Sequence, residues 1–152
     1  RGNLEKLITF IKDEMTRGNE SPKILALLSY AYFFSYEFSE AESTVLKSIE
    51  KFPDNITLLL TIIFLYINRG KFEKVLPILE KIKSVDPMYI EALFNVGMIL
   101  ENAGILTKAK LLFEWFVEVS DHESSKQVVE LHLEVINSRL NLKEERGNEG
   151  IF

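Results

Sequence analysis

Toward chemistry this chain offers two histidines, a scatter of carboxylates and no cysteine. The missing thiol removes disulfides, thiolate metal sites and cysteine nucleophiles. His122 and His132 are the two imidazoles. On one helix, ten residues is nearly three turns, about 15 Å, too far for both to hold one metal ion. His132 and Glu134 are two residues apart and face different sides of a helix. They read as surface or cap residues. Glu40, Glu42, Glu73, Glu80 and Glu118 read as charges on solvated helix faces. Gly18, Gly70 and Gly104 stand singly, as turn residues do, and form no phosphate-cradling loop. Trp115 reads as a packing residue against the last helix. No set of residues has the spacing of a catalytic site, so the chain is expected to be no enzyme, with no metal and no cofactor.

Composition narrows the class further. Of 152 residues, 47% are hydrophobic and 27% charged, enough to bury a core and unlike a disordered chain. A net charge of -5 argues against nucleic acid, which needs a dense basic surface. The longest apolar run, residues 58–67, is interrupted by Thr61 and is too short to cross a bilayer. No signal peptide is seen, and the compartment stays open, with cytoplasm as the default. The chain opens on Arg1-Gly2-Asn3, without Met and inside a repeat, so a fragment or processed product is expected, with any targeting sequence upstream.

These side chains sit on helices. Leu4, Leu7, Ile8, Ile11 and Met15 recur at helical spacing, which predicts a helix over 3–16. Ser21 is a cap candidate and Pro22 suits the first helical position. Helices follow over about 22–35, 38–51, 55–68, 71–84, 88–102, 105–119 and 122–141. Residues 142–152, rich in charge with two glycines, are expected to form a flexible tail.

The order is periodic. Pro87 lies 34 residues after Pro53, and Gly104 lies 34 after Gly70. Residues 22, 56 and 90 begin three units at the same interval. Within them the small or crossing positions are Ser29, Ile63 and Gly97 on the first helix, and Ala41, Val75 and Ala109 on the second. Leu93, Val96, Gly97 and Leu100, then Ala109 and Phe113, make the most regular copy, with Asp121 where Pro53 and Pro87 close the others. Leu25, Leu28, Ser29 and Tyr32 with Ala41 and Val45 make the first copy. Leu59, Ile62, Ile63 and Tyr66 with Val75 and Leu79 make the middle one. Residues 1–7 align with 69–75 as the second half of a unit.

This pattern resembles the tetratricopeptide repeat family, whose 34-residue unit has such helix signatures. The resemblance covers about residues 1–141. It implies an all-α fold, a right-handed α-solenoid of antiparallel helix hairpins. The units would be half a repeat at 1–18, whole repeats at 22–53, 56–87 and 90–121, and a capping helix at 122–141, together one domain. Two departures stand in the middle unit. Ile63 is too large for a close crossing, so that hairpin should be splayed or repacked, and Pro77 should kink the second helix locally.

The resemblance also implies a concave groove lined by the first helices. Its facing positions would be Lys23, Ala26, Leu27, Tyr30, Phe33 and Phe34, then Thr57, Leu60, Thr61, Phe64, Ile67 and Asn68, then Glu91, Phe94, Asn95, Met98, Glu101 and Asn102. Tyr30, Phe33, Phe34, Leu60, Phe64, Ile67, Phe94 and Met98 would make one apolar stripe, larger than soluble monomers usually leave in water. The implied function is a non-catalytic module that takes a partner helix or hydrophobic peptide. The alternative is self-association through the groove or the N-terminal helix. An RNA-processing role comes behind both because the chain is acidic. Members that clamp a chaperone's C-terminal carboxylate use Lys, Asn and Arg where this chain has Ala26, Tyr30, Thr61, Glu91 and Asn95, so Hsp70 or Hsp90 tails are not expected. At the far end, Gln127, Glu130, Glu134 and Ser138 are expected to face out and Val128, Val129, Leu131, Val135 and Ile136 to face in.

Overall fold

The structure is a computed structural model and describes residues 2–149. Eight α-helices follow one another: α1 Gly2–Thr16, α2 Pro22–Phe34, α3 Phe38–Lys51, α4 Ile56–Asn68, α5 Val75–Val85, α6 Met88–Asn102, α7 Leu106–Val119 and α8 Glu123–Glu149. No strand occurs among the described residues. The chain divides after Val85 into two compact units. The division falls at Asp86-Pro87, where the proline ring disfavours helix in the residue before it.

In the first unit the helix starts are set by local chemistry. The Ser21 side chain accepts from the Ile24 backbone N–H and Pro22 fills the first turn, as the sequence predicts. Asn55 does the same for the Leu58 N–H, at 3.1 Å. The α2–α3 hairpin closes on small residues. Ala41 is fully buried, and the Ser29 hydroxyl, also fully buried, donates to the Ala41 carbonyl at 2.7 Å. Ser29 thus permits close approach and also satisfies its own hydroxyl across the hairpin. Leu58, Leu59 and Ile62 of α4 lie fully buried in the same unit. Lys71 Nζ reaches Glu42 on α3 at 2.7 Å and Lys81 Nζ reaches Asp54 at 2.7 Å, so ion pairs link successive segments at the surface. On α1, Ile8 and Ile11 are buried while Leu4 and Leu7 are half-buried.

The middle hairpin departs from its neighbours as Ile63 suggests. Helices α4 and α5 pack closely over a shorter stretch than α2 and α3. Pro77 does not kink a long helix. The chain forms a 3-10 turn over Phe72–Lys74, and α5 begins only at Val75. Pro77 then sits in the first turn of α5, where its missing N–H costs no helical bond.

The second unit is built on the tight α6–α7 crossing. A Cβ added at Gly97 would stand 2.5 Å from the Phe113 ring, so only glycine fits between the helices. Phe113, Phe116 and Ala109 of α7 are fully buried, and Trp115 is buried as expected. Val96 and Ile99 of α6 are exposed, at 45% and 67%, because α7 covers the other side of that helix.

Helix α8 packs on α7 and differs from its expected form in two ways. It runs to Glu149, past residue 141, because Leu142 to Arg146 are strong helix formers with no proline among them. Residues 150–152 of the expected tail lie outside the described residues. Its inward face is also different. Val129 and Ile136 are fully buried, with Leu133 and Leu140 half-buried, whereas Val128, Leu131 and Val135 face solvent. The helix is apolar on two sides, and α7 covers the 129–133–136–140 side.

Candidate partner-binding surface

The aromatic residues predicted for the groove cluster in the first unit. Tyr30, Phe33 and Phe34 come from α2, and Phe64 comes from α4. Helix spacing puts 30, 33 and 34 on one side, and the packing of α2 on α4 brings Phe64 among them. The Phe64 ring centroid lies 5.2 Å from Tyr30, 5.2 Å from Phe33 and 6.4 Å from Phe34. Phe33 and Phe34 meet edge-on at 5.3 Å. Three of these four contacts are T-shaped, an arrangement that aromatic quadrupoles favour, and the fourth is tilted. Tyr30, Phe33, Phe64 and Ile67 are half-buried, while Phe34 and Leu60 stand 56% and 43% exposed.

Three residues missed by the sequence reading extend the cluster. Phe38 of α3 lies 5.3 Å from Phe33. The Arg69 guanidinium sits over the Phe38 ring at 4.0 Å, within cation–π range. Tyr36, in the α2–α3 turn, meets Phe38 edge-on at 6.1 Å and is 71% exposed. Tyr36 also has φ 62, in the left-handed region. In the 34-residue register, position 36 corresponds to Gly70 and Gly104, whose φ values are 71 and 78. The register was the signal that would have found it: one turn of the series carries a bulky aromatic where the others carry glycine. An L-residue there costs about 1–2 kcal/mol.

Not every position assigned to the groove faces solvent. Ala26 is buried, and Thr61 is fully buried with its hydroxyl donating to the Thr57 carbonyl at 2.7 Å. The reason is the tight packing of α2 on its neighbours, which takes up the edge of the face that helical spacing alone left open. Lys23, Leu27, Thr57 and Asn68 are exposed as expected.

In the second unit, Phe94 and Met98 of α6 are half-buried. The Phe94 ring lies 6.3 Å from Phe113 and 6.0 Å from Phe116, so much of it joins the hairpin interior. Asn95 and Asn102 are exposed. Glu101 turns inward: its carboxylate lies 2.7 Å from Nδ1 of His132, with side chains 11% and 28% exposed. The His132 ring in turn lies 5.7 Å from Phe113. His132 is therefore a part-buried latch between α6 and α8, not a surface residue. Its partner is 31 residues away, beyond any local spacing rule. His122 lies 3.8 Å from Glu91 at a more exposed position. Among the described residues no group of His, Asp or Glu has the geometry to hold a metal ion, and no helix is long and apolar enough to cross a membrane.

Solved structures share this architecture. A tetratricopeptide repeat protein from Parabacteroides merdae ATCC 43184 superposes with a TM-score of 0.51 at 21% identity, over 98% of this chain and 66% of that one. The fold is a tetratricopeptide-repeat fold. MamA D159K mutant 1 matches with a TM-score of 0.53 at 17% identity, over 95% of this chain and 82% of that one. MamA MSR-1 C2 matches with a TM-score of 0.52 at 17% identity, over 90% and 87%. No protein-family profile matches the chain, and a search of curated proteins finds no match. The tetratricopeptide-repeat fold explains why the small residues recur where they do: Ser29 and Gly97 occupy equivalent crossings of the first and third hairpins, with Ile63 at that of the middle one.

Proposed function

We propose that the chain is a non-catalytic protein-interaction module whose first unit binds the apolar side of a partner helix or a hydrophobic peptide. The contact surface is Tyr30, Phe33, Phe34, Leu60, Phe64 and Ile67, extended by Tyr36. The observation that carries this reading is Tyr36. A bulky, mostly exposed aromatic in a left-handed backbone position contributes little to stability and costs strain. Strain kept at an exposed position points to function. Beside it, Phe34 and Leu60 leave apolar area in water that a ligand would cover. Aromatic residues are also the side chains that dominate interface energetics. Phe94 and Met98 have a smaller share in this reading, because Phe94 is largely committed to Phe113 and Phe116.

The test selects peptide ligands for the intact chain from a random displayed library and measures their affinities. Selected peptides should carry apolar residues at helical or alternating spacing. Phe34→Glu and Leu60→Glu should each weaken binding by about tenfold or more without loss of helical circular dichroism. Ligands that bind both folded variants as well as the parent would refute the assignment of this surface.

A further inference from the structure

Helix α8 carries a second, solvent-facing apolar stripe. Val128 is 44% exposed, Leu131 62%, Val135 53% and Leu142 53%. The intervals alternate three and four residues once Ser138 is included, which is a heptad seam lying nearly opposite the Val129–Ile136 face that packs on α7. Valine falls at the a positions 128 and 135 and leucine at the d position 131, the combination that favours two parallel strands. Leu142 is a third a residue, and Ser138 is a polar d residue.

The charges flanking the seam say what covers it. Glu134 is at a g position and Arg139 at the following e position, five residues later. In a parallel, in-register pair, g of one helix meets that e of the other, so Glu134 would face Arg139 of a second copy twice over. Both side chains are exposed, and neither has an opposite charge within ion-pair distance among the described residues. An antiparallel pair that packs Val135 against Leu131 of the second copy would set Glu134 against Glu134 instead. The complementarity is with the chain itself, and in one orientation.

We infer that α8 is a homodimerisation helix, pairing with α8 of a second copy as a short parallel coiled coil along Val128, Leu131, Val135 and Leu142. This surface is separate from the aromatic cluster of the first unit, so each can fail without the other. With few apolar layers and a polar one at Ser138, the dimer is weak, with Kd of about 10–100 μM.

Sedimentation equilibrium of the intact chain over that concentration range tests it. The expected result is a monomer–dimer equilibrium that Leu131→Glu weakens by at least tenfold and Phe34→Glu leaves unchanged. Glu134→Arg or Arg139→Glu alone should weaken it several-fold, and an equal mixture of the two variants should recover dimers. The chain has no cysteine, so Ser138→Cys places one thiol at the seam. Oxidised glutathione should then cross-link it into a disulfide dimer, as a parallel register requires. A monomer throughout the range overturns the inference. So does a dimer indifferent to Leu131→Glu, which would use another face. A Leu131-dependent dimer that neither cross-links through Ser138→Cys nor recovers on mixing overturns the parallel pairing. A monomer that instead binds amphipathic peptides through Leu131 assigns the stripe to a foreign helix.

Discussion

Tyr36→Gly separates stability from binding at one residue. Tyr36 holds φ 62 in a turn whose equivalents are Gly70 and Gly104. Glycine relieves the clash of Cβ with its own backbone, a gain of about 1–2 kcal/mol. It also increases the freedom of the unfolded chain, a loss of about 0.5–1 kcal/mol. The ring of Tyr36 touches Phe38 edge-on at 6.1 Å but is 71% exposed, so losing that contact costs only about 0.5 kcal/mol. The balance is small, between a loss of about 0.5 and a gain of about 1 kcal/mol, and leans toward stabilisation. For a chain of this size the melting temperature should rise by no more than about 4 °C. Affinity for selected peptides should nevertheless fall by about tenfold, as removal of an interface aromatic does. Tyr36→Asn is the control, since asparagine tolerates the left-handed region without an aromatic ring, and it should behave like glycine. Urea denaturation followed by circular dichroism gives the stability, and fluorescence anisotropy of a labelled selected peptide gives the affinity. A loss of more than about 2 kcal/mol with unchanged affinity would refute the reasoning, because the ring would then be a structural element of the turn.

The other predictions concern the scaffold. Gly97→Ala should destabilise the second unit by about 1–2 kcal/mol in urea unfolding, because the methyl would lie 2.5 Å from the fully buried Phe113 ring and the overpacking outweighs alanine's helix preference; a more stable variant would mean the crossing can open freely. His132→Ala should cost about 2–3 kcal/mol by leaving the nearly buried Glu101 carboxylate unpaired, and adding Glu101→Gln should recover part of the loss in a double-mutant cycle. Pro77→Ala should let α5 extend back through the Phe72–Lys74 turn, seen as added helical ellipticity, while an unchanged spectrum would place the cause of that turn elsewhere.

The local elements were legible in the sequence because their causes are local. Ser21 with Pro22 starts α2, and glycines end the turns at 70 and 104. The 34-residue interval placed the hairpins, and the small residues Ser29, Ala41, Gly97 and Ala109 lie buried at their crossings, as a close approach of two helices requires. Part of the aromatic surface was legible for the same reason: 30, 33 and 34 must share a side of α2, and the register adds position 64.

The remainder depended on residues distant in the chain. Phe38 and Arg69 join the aromatic cluster only when α3 and the end of α4 come together. Glu101 finds His132 across 31 residues, so neither local polarity nor spacing reveals the pair. Helix α8 is the sharpest case. The residue pattern gives it two apolar sides and cannot rank them, since periodicity records which residues share a face but not which face meets a neighbour. The sequence by itself determined a helical repeat with these turns and crossings. Tertiary packing decided that α7 covers Val129 and Ile136 and leaves Val128, Leu131 and Val135 in water, because burial is settled by what the rest of the chain brings to that face.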